Sequence, residues 1–363
     1  MSASSLRVYF GTYTPAGGAS RGIYSAQLDL ATGALTAPAF AAAASNPTFL
    51  ALRPDGRTLY ALTESGTVGG KPGGALAAFR VEPASGGLSP LNVEATGGGP
   101  LAHVNVDPSG RMAAVISYHA GQVAAFPLAA DGRLGACTGL VAHTGPLGPN
   151  AKRQEKPHPH SITYSPDGRL LYVCDLGLDR IAIYRFDAAT ATLTTAGSIA
   201  TAPGDGPRHS KISADGRFLY VINELASSLT TYAIDPATGA LRRLQSLPTL
   251  PAGFAGENIC AEIRLSPDGR FVYGSNRGHD SLAVFARDAA QGTLTLVEVV
   301  PSGGRHPRNF NLSPDGHWLV CANRDTDNVT VFRVDPATGR LQATGQEVRV
   351  PQAVCVLFAL DQG

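Results

Sequence analysis

Four residues of this sequence together supply the side chains needed for acid–base chemistry on an anionic substrate. They are His160, Arg208, Glu224 and Arg308. An imidazole and a carboxylate can relay a proton, and guanidinium groups bind anions and stabilise a developing oxyanion. We predict that these four residues form a catalytic set.

Their positions around a recurring phrase single them out. Ser-Pro-Asp-Gly-Arg, two apolar residues and Tyr recur with small changes along the chain, as in Ser165–Tyr172. Residues eight places before and eight places after the glycine should meet at one end of a hairpin. A structural repeat tends to keep one residue type at one place, so irregular charged residues there indicate a site. Eight places before the glycines stand Thr48, Ala102, His160, Arg208, Ala261 and Arg308, with Gln352 as the equivalent near the C-terminus. Eight places after stand Glu64, Tyr118, Leu176, Glu224, Arg277 and Arg324.

Five further residues are predicted to bind substrate. Arg277 belongs to the second set above. His103, Glu262 and Asn309 lie one place after members of the first set, as does His209, and these four could support the catalytic residues or be hydrogen-bonded channel residues only. His158 precedes His160 in the run Lys-Pro-His-Pro-His-Ser. These five predicted substrate-binding residues are His103, His158, Glu262, Arg277 and Asn309.

Structural roles are the alternatives for the same residues. Arg208 and Glu224 could be an ion pair that only ties a hairpin, since most ion pairs are structural. His158 could be a loop histidine without a role. The sequence has no His-x-x-x-His or Cys-x-x-Cys spacing and no glycine-rich loop leading into a helix, so we expect no dedicated metal site and no nucleotide cradle.

The elements that would position these residues are short strands. A second phrase, an apolar residue and Asp followed by small residues, Gly and Leu, alternates with the first, as in Ile234–Leu241. Its copies recur about every fifty residues, which is typical of a repeat array. Pro-Asp-Gly favours a tight turn. Each unit therefore reads as a four-stranded antiparallel meander, and stacking such units in a ring buries both faces. We predict an all-β, seven-bladed β-propeller.

The two ends of the chain predict how the ring closes. Residues 6–14 match the second strand of a unit without a first strand before them, and Pro351–Phe358 matches a first strand with nothing after it. Pairing the two would complete the seventh blade and remove exposed sheet edges. We therefore predict one domain over residues 1–363.

Composition excludes several classes of protein. The 363 residues carry 29 Lys and Arg against 28 Asp and Glu, so no charge excess favours nucleic acid or an anionic membrane. No apolar run approaches the ~20 residues of a membrane span, and the N-terminus lacks the pattern of a signal peptide. Five cysteines without close spacing favour reduced thiols. We expect a cytoplasmic monomer.

Two longer connections are predicted at the same mouth as His160. His143–Pro157 is an insertion between a last strand and the next first strand, and Thr249–Asn258 is placed in the same way two units later. Each could act as a partial lid over the mouth or serve as a passive connection.

Several non-repeated runs carry a resemblance to a known family. They are Arg153–Ser161, Gly206–His209 with Tyr220–Glu224, Ala261–Gly269 with Ser275–His279, and His306–Asn309. With these runs the chain resembles the lactonase family of seven-bladed propellers, which includes bacterial 6-phosphogluconolactonases of the propeller type and fungal 3-carboxy-cis,cis-muconate lactonizing enzyme.

The resemblance implies a reaction and residue roles. It makes His160 the catalytic histidine, Arg208 and Arg308 substrate-binding arginines and Glu224 the acidic residue. It implies metal-independent and cofactor-free hydrolysis of a small anionic sugar lactone, first of all 6-phosphoglucono-1,5-lactone, with either Glu224 or His160 activating water. A carboxymuconate cycloisomerase and a lactonase for an unphosphorylated aldonolactone are the alternatives within the family. Outside it stands a non-catalytic propeller scaffold.

Overall fold

The computed structural model describes residues 5–63, 67–68, 71–83 and 85–359, so Glu64 lies outside the described residues. Nearly all regular structure is antiparallel strand, as the turn-rich sequence predicts. Numbered along the chain, the strands are β1 Ser5–Thr12, β2 Gly22–Asp29, β3 Ala39–Ala43, β4 Leu50–Leu52, β5 Thr58–Thr63, β6 Thr67–Val68, β7 Lys71–Pro72, β8 Ala75–Val81, β9 Leu88–Ala95, β10 Leu101–Val106, β11 Met112–Ser117, β12 Gln122–Pro127, β13 Gly139–Ala142, β14 Pro159–Tyr164, β15 Leu170–Asp175, β16 Arg180–Asp187, β17 Thr192–Ala200, β18 Pro207–Ile212, β19 Phe218–Asn223, β20 Ser228–Ile234, β21 Leu241–Pro248, β22 Ile259–Leu265, β23 Phe271–Arg277, β24 Ser281–Arg287, β25 Leu294–Pro301, β26 Pro307–Leu312, β27 Trp318–Asn323, β28 Asn328–Val334, β29 Leu341–Arg349 and β30 Ala353–Phe358. One turn of 3-10 helix, Arg324–Thr326, follows β27.

The strands form seven four-stranded sheets, and the predicted seven-bladed propeller is confirmed. Six blades are consecutive in the chain: β4-β5-β8-β9, β10 to β13, β14 to β17, β18 to β21, β22 to β25 and β26 to β29. The seventh has the order β3-β2-β1-β30, and β1 pairs with β30 from Val8 opposite Phe358 to Thr12 opposite Ala353. The predicted closure by the two ends of the chain is therefore confirmed.

The first strand of each blade lies nearest the central channel. Neighbouring first strands contact one another around the ring, as β14 does with β18 and β30 with β4. The turn after the first strand follows the predicted chemistry. In Ser165–Leu170 the Ser165 hydroxyl donates to Asp167, the Asp167 carboxylate accepts the Arg169 backbone N–H, and Gly168 has a φ of 67° that glycine tolerates best.

Where the recurring phrase ends in tyrosine, that side chain joins its blade to the next. Tyr172 donates its hydroxyl hydrogen to the Gly239 carbonyl at 3.0 Å, in the outer hairpin of the following blade. The same contact recurs from Tyr220 to Gly292 and from Tyr273 to Gly339. A buried phenol needs such an acceptor, so the repeat of Tyr in the sequence reflects a bond between blades.

Apolar side chains fill the spaces between blades. The buried hydrophobic residues form seven clusters, each made of side chains from two neighbouring blades. A buried Leu, Ile or Phe stabilises the fold by roughly 1.5–3 kcal/mol. None of the five cysteines, all within the described residues, forms a disulfide. In the described part of the chain no helix is long and apolar enough to cross a membrane.

Candidate active site

The predicted catalytic residues lie at one end of the blades, where irregular pairing directs them into the channel mouth. His160, Arg208 and Arg308 stand near the start of β14, β18 and β26. In each of these strands the pairing register shifts around that residue, for example between Pro159 and Ser161. A β-bulge of this kind re-aims a side chain. Glu224 directly follows β19, so the two predicted sets of positions meet at one mouth.

A cavity of about 350 Å³ opens at this mouth. Three of the four predicted catalytic residues line it, together with the predicted substrate-binding Arg277. We call it the catalytic cavity. Its lining residues are Tyr13, Pro100, Leu101, Ala102, Tyr118, His119, Arg153, His160, Glu224, Ile259, Arg277 and Arg308. Arg208 lies just behind Glu224 and lines a smaller space beneath the cavity.

Glu224 is the centre of the site's charge network. Its Oε2 accepts hydrogen bonds from Arg208 Nε at 2.8 Å and pairs with Arg277 Nη2 at 3.0 Å, and its Oε1 accepts one from Arg153 Nη2. The side chain is 2% exposed. Burial would raise the pKa of this carboxyl, but Arg277, Arg208, His160 and Arg153 outweigh burial and hold the pKa well below its usual range. Glu224 is therefore ionised at neutral pH.

His160 lies beside this carboxylate as a neutral imidazole. Its Nε2 is 4.0 Å from Glu224 Oε2, and its Nδ1 is buried without a hydrogen-bond partner among the described residues. Burial, followed by the charge of Arg208, lowers the pKa of His160 well below its ordinary value. Nε2 is therefore the nitrogen that faces the reactive groups, and the ring can accept a proton at neutral pH.

The arginines of the site differ in how many hydrogen-bond and ion-pair partners they have. Arg208 donates to the Ala261 carbonyl at 2.7 Å and to His209 Nε2 at 3.0 Å as well as to Glu224. Burial and then Arg277 lower the pKa of Arg208 to about 9, which leaves it charged at neutral pH. Arg308 has no ion-pair or hydrogen-bond partner in the described ranges. Its guanidinium lies 5.8 Å from the ring centroid of Tyr13. Arg308 is thus the cation in the cavity with the most binding capacity left.

The other predicted substrate-binding residues lie outside the cavity wall. His103 and Glu262 face the channel beneath the cavity, where Glu262 accepts hydrogen bonds from Asn309 and from Arg264 at 2.6 Å, and lies 3.2 Å from His209 Nδ1. Asn309 also lines the small space beneath the cavity. Their predicted contact with substrate stays a prediction.

His158 is held by structural contacts. Its Nδ1 lies 3.0 Å from the Tyr118 carbonyl and its Nε2 3.0 Å from Glu155 Oε1, and its ring stacks on Tyr118 with centroids 4.1 Å apart. His158 does not line the catalytic cavity. The alternative given above, a histidine without a chemical role, fits these contacts better than substrate binding does.

Arg153 was missed as a site residue. It lies in the predicted lid segment His143–Pro157, outside the repeat frame, and its guanidinium reaches Glu224 from across the mouth. The signal that could have found it was an arginine inside an insertion next to His160. The second predicted loop also reaches the mouth, because Asn258 borders a neighbouring cavity with Arg153. No group of three or more His, Cys, Asp or Glu side chains in the described residues is arranged to hold a metal ion.

The chain is similar over most of its length to known lactonases. The family model "Lactonase, 7-bladed beta-propeller" matches residues 7–358. The 6-phosphogluconolactonase of Bacillus subtilis is 37% identical over 350 residues, which cover 96% of this chain and 97% of that protein. A 6-phosphogluconolactonase of Formosa agariphila is 32% identical over 73% of this chain and 74% of its own length. Among solved structures, the periplasmic gluconolactonase of Pseudomonas aeruginosa superposes with a TM-score of 0.90 at 35% identity, covering 98% of this chain and 99% of that one.

Proposed function

The chain belongs to the lactonase family of seven-bladed β-propellers, and we propose that it hydrolyses 6-phosphoglucono-1,5-lactone to 6-phosphogluconate. The observation that carries this proposal is the charge of the catalytic cavity. Four guanidinium groups, those of Arg153, Arg208, Arg277 and Arg308, surround a single carboxylate, Glu224. A phosphate ester carries about two negative charges at neutral pH and would balance most of this excess.

The first step is attack of water on the lactone carbonyl. His160 Nε2 takes a proton from the water, because the imidazole is neutral and faces the cavity. Glu224, 4.0 Å away, compensates the positive charge that appears on the ring. Glu224 is poorly placed to act as the base, because arginines occupy both of its carboxylate oxygens. Among the two bases that the sequence left open, we therefore assign His160.

The second step is collapse of the tetrahedral intermediate. Arg308, which has no other partner in the described part of the chain, stabilises the oxyanion formed from the carbonyl oxygen. Protonated His160 then returns its proton to the ring oxygen as the ester bond breaks. The products are the open hydroxy acid, which loses its carboxyl proton at neutral pH, and the resting enzyme. No step requires a metal ion or cofactor, and we propose metal-independent catalysis.

An unphosphorylated aldonolactone is the second candidate substrate. It is favoured by the similarity to the Pseudomonas protein, which is named a gluconolactonase and not a 6-phosphogluconolactonase. The charge excess of the cavity favours the phosphorylated lactone. A carboxymuconate-type acid would also carry the negative charge that this cavity requires, and it serves as the third substrate in the test below.

The test measures proton release from freshly prepared 6-phosphoglucono-1,5-lactone, with EDTA present and the spontaneous rate subtracted. We expect acceleration by the native protein and a loss of about 100-fold or more in kcat for His160→Ala and for Arg308→Ala. Exposed His317 and Arg305 provide matched controls, since neither lines the cavity. No acceleration with either lactone, but turnover of carboxymuconate, would replace the proposal with the cycloisomerase reaction. Loss of activity in EDTA would refute metal independence.

We propose a cytoplasmic monomer with no nucleic-acid or membrane partner. Free thiols, four of them buried, support a reducing compartment. Cell fractionation and sedimentation at two protein concentrations test these points, and a concentration-dependent dimer or a periplasmic location would contradict them.

A further inference from the structure

A second cavity adjoins the catalytic cavity and shares part of its wall. This side lobe, of about 620 Å³, is lined mainly by polar residues, among them Asn150, Arg153, Asn258, Arg277, His306 and the exposed carboxylate of Glu257. Arg153, Ile259 and Arg277 line both cavities. A substrate longer than the lactone ring could therefore extend past Arg153 and Arg277 from one cavity toward the other.

Arg153 differs from the other arginines of the site in its support and exposure. Arg208, Arg277 and Arg308 belong to strands β18, β23 and β26, whereas Arg153 lies in a turn of the segment between β13 and β14. Its side chain is 36% exposed, against 3% for Arg208 and 5% for Arg277. Arg153 is the partly exposed member of a pair whose carboxylate keeps two other guanidinium partners, so its departure costs less than that of a fully buried arginine. Arg153 can therefore leave Glu224 for a ligand.

The backbone that carries Arg153 is fixed from both ends. Asp175 lies 2.6 Å from His143 Nδ1 and accepts the backbone N–H of His158 at 2.9 Å, so one carboxylate holds the start and the end of the segment. In between, the Gln154 amide donates to the Leu176 carbonyl at 2.8 Å. The guanidinium is thus presented at a defined place, and only its side chain needs to move.

The charge balance supplies a reason for such a movement. With Arg153, Arg208 and Arg277 on Glu224 and Arg308 without a partner in the described residues, the cations outnumber the carboxylate by three. Glu224 keeps two buried guanidinium partners when Arg153 leaves. A dianionic phosphate at the shared wall would offer Arg153 a stronger partner, in a fork geometry suited to phosphate oxygens.

We propose that Arg153 determines substrate specificity by binding the phosphate group of the lactone at the wall shared by the two cavities. This inference rests on the proposed function and adds the residue that separates phosphorylated from unphosphorylated lactones. Arg153 moves from Glu224 to the phosphate, Arg277 supports it from β23, and the lactone ring stays at His160 and Arg308.

The experiment compares kcat/KM for 6-phosphoglucono-1,5-lactone and glucono-1,5-lactone in the native protein, Arg153→Ala, Arg153→Lys and Lys152→Ala. Lys152 is the neighbouring exposed cation of the same turn and lines neither cavity. We expect the ratio of the two kcat/KM values to fall about tenfold or more in Arg153→Ala, mainly through KM for the phosphorylated lactone. The ratio for Arg153→Lys should lie between those of the native protein and Arg153→Ala, and Lys152→Ala should keep the native ratio. An equal loss on both lactones, or the same change in Lys152→Ala, would overturn the proposal.

A binding measurement separates this proposal from the proposed function. Calorimetry with the stable acids 6-phosphogluconate and gluconate needs no turnover. We expect the native protein to prefer 6-phosphogluconate and Arg153→Ala to lose about tenfold or more of that preference. If the native protein opens neither lactone, the proposed reaction fails and the binding comparison still decides the role of Arg153. Equal affinity of the native protein for both acids would overturn the role.

Discussion

The two ends of the inner hairpins of this propeller are built in opposite ways. At the turn end the same residue types recur from blade to blade, and their side chains point outward to the next blade, as Tyr172 and Arg169 do toward Gly239 and Pro236. At the mouth end the residue types differ between blades, and His160, Arg208 and Arg308 stand at bulges that interrupt the strand pairing. Repetition in this chain marks bonds that hold the ring together, and irregularity marks the site.

The energetic difference between the ends follows from charge. The contacts at the turn end are tyrosine hydrogen bonds that each contribute roughly 0.5–1.5 kcal/mol, and exposed Arg–Asp pairs such as Arg169–Asp167 that contribute about 1 kcal/mol or less. The mouth end buries a carboxylate with several guanidinium groups, where the desolvation penalty offsets most of the attraction. Substitutions at the mouth should therefore change activity and pH dependence together, whereas those at the turn end should change stability alone.

The largest effect should come from Glu224→Gln at the mouth. Loss of the carboxylate leaves buried Arg208 and Arg277 without a countercharge, which should lower the free energy of unfolding by about 3–5 kcal/mol and abolish lactone hydrolysis. Denaturant unfolding and proton release measure the two effects.

Glu298→Gln provides the matched control for this prediction. Glu298 is 15% exposed and pairs at 2.8 Å with Arg340, which is 57% exposed and stays hydrated without the pair. The Gln oxygen can still accept the Leu341 backbone N–H, so the substitution should cost at most about 1 kcal/mol. If Glu224→Gln were as stable as Glu298→Gln, the buried arginines at the mouth would not depend on Glu224 as their countercharge.

The same contrast explains which features of the fold and of the candidate site the sequence can predict. The recurring turn phrase and the unmatched strands at the two ends predicted the ring and its closure, because local turn chemistry and strand patterns act within each unit. The repeat frame also placed His160, Arg208, Glu224 and Arg308 at one mouth. These predictions needed only the spacing along a hairpin.

Other features depend on contacts between distant segments. Arg153 reaches Glu224 across 71 positions of the sequence from a segment without a repeat frame, so no spacing rule could place it. His158 was predicted to bind substrate because it precedes His160, but the stacking on Tyr118 that holds its ring is set by tertiary packing. The frame could not show either that Arg208 is committed to three partners while Arg308 has none among the described residues.

A second prediction concerns pH and the histidines of the mouth and channel. Burial lowers the pKa of His103, His160 and His209 well below the ordinary value near 6.5. The unfolded chain therefore binds more protons than the folded one below that pH. The contribution of each histidine to the free energy of unfolding is fully present above pH 6.5 and is lost as the pH falls, by about 1.4 kcal/mol per histidine at pH 5.5.

Chemical unfolding at pH 7.5 and 5.5 measures this loss, to which the three histidines should contribute about 4 kcal/mol. His103→Asn should reduce the difference by about one histidine's share, whereas replacement of exposed His317 by Asn should leave it unchanged. If the free energy of unfolding changed equally between pH 7.5 and 5.5 in the native protein and in His103→Asn, His103 would not be held neutral by burial.

The smallest effect should come from the turn end. Tyr172→Phe removes the hydroxyl that binds the Gly239 carbonyl and leaves that buried acceptor unpaired, which should lower the free energy of unfolding by about 1 kcal/mol. Tyr172 lies far from the catalytic cavity along its blade and lines none of it, so kcat/KM for the phosphorylated lactone should stay within about twofold of native. Denaturant unfolding and proton release on one preparation give both values. A variant that lost activity in proportion to stability would show that the bonds between blades also set the geometry of the mouth, and the division between the two ends would then be one of sequence pattern rather than of function.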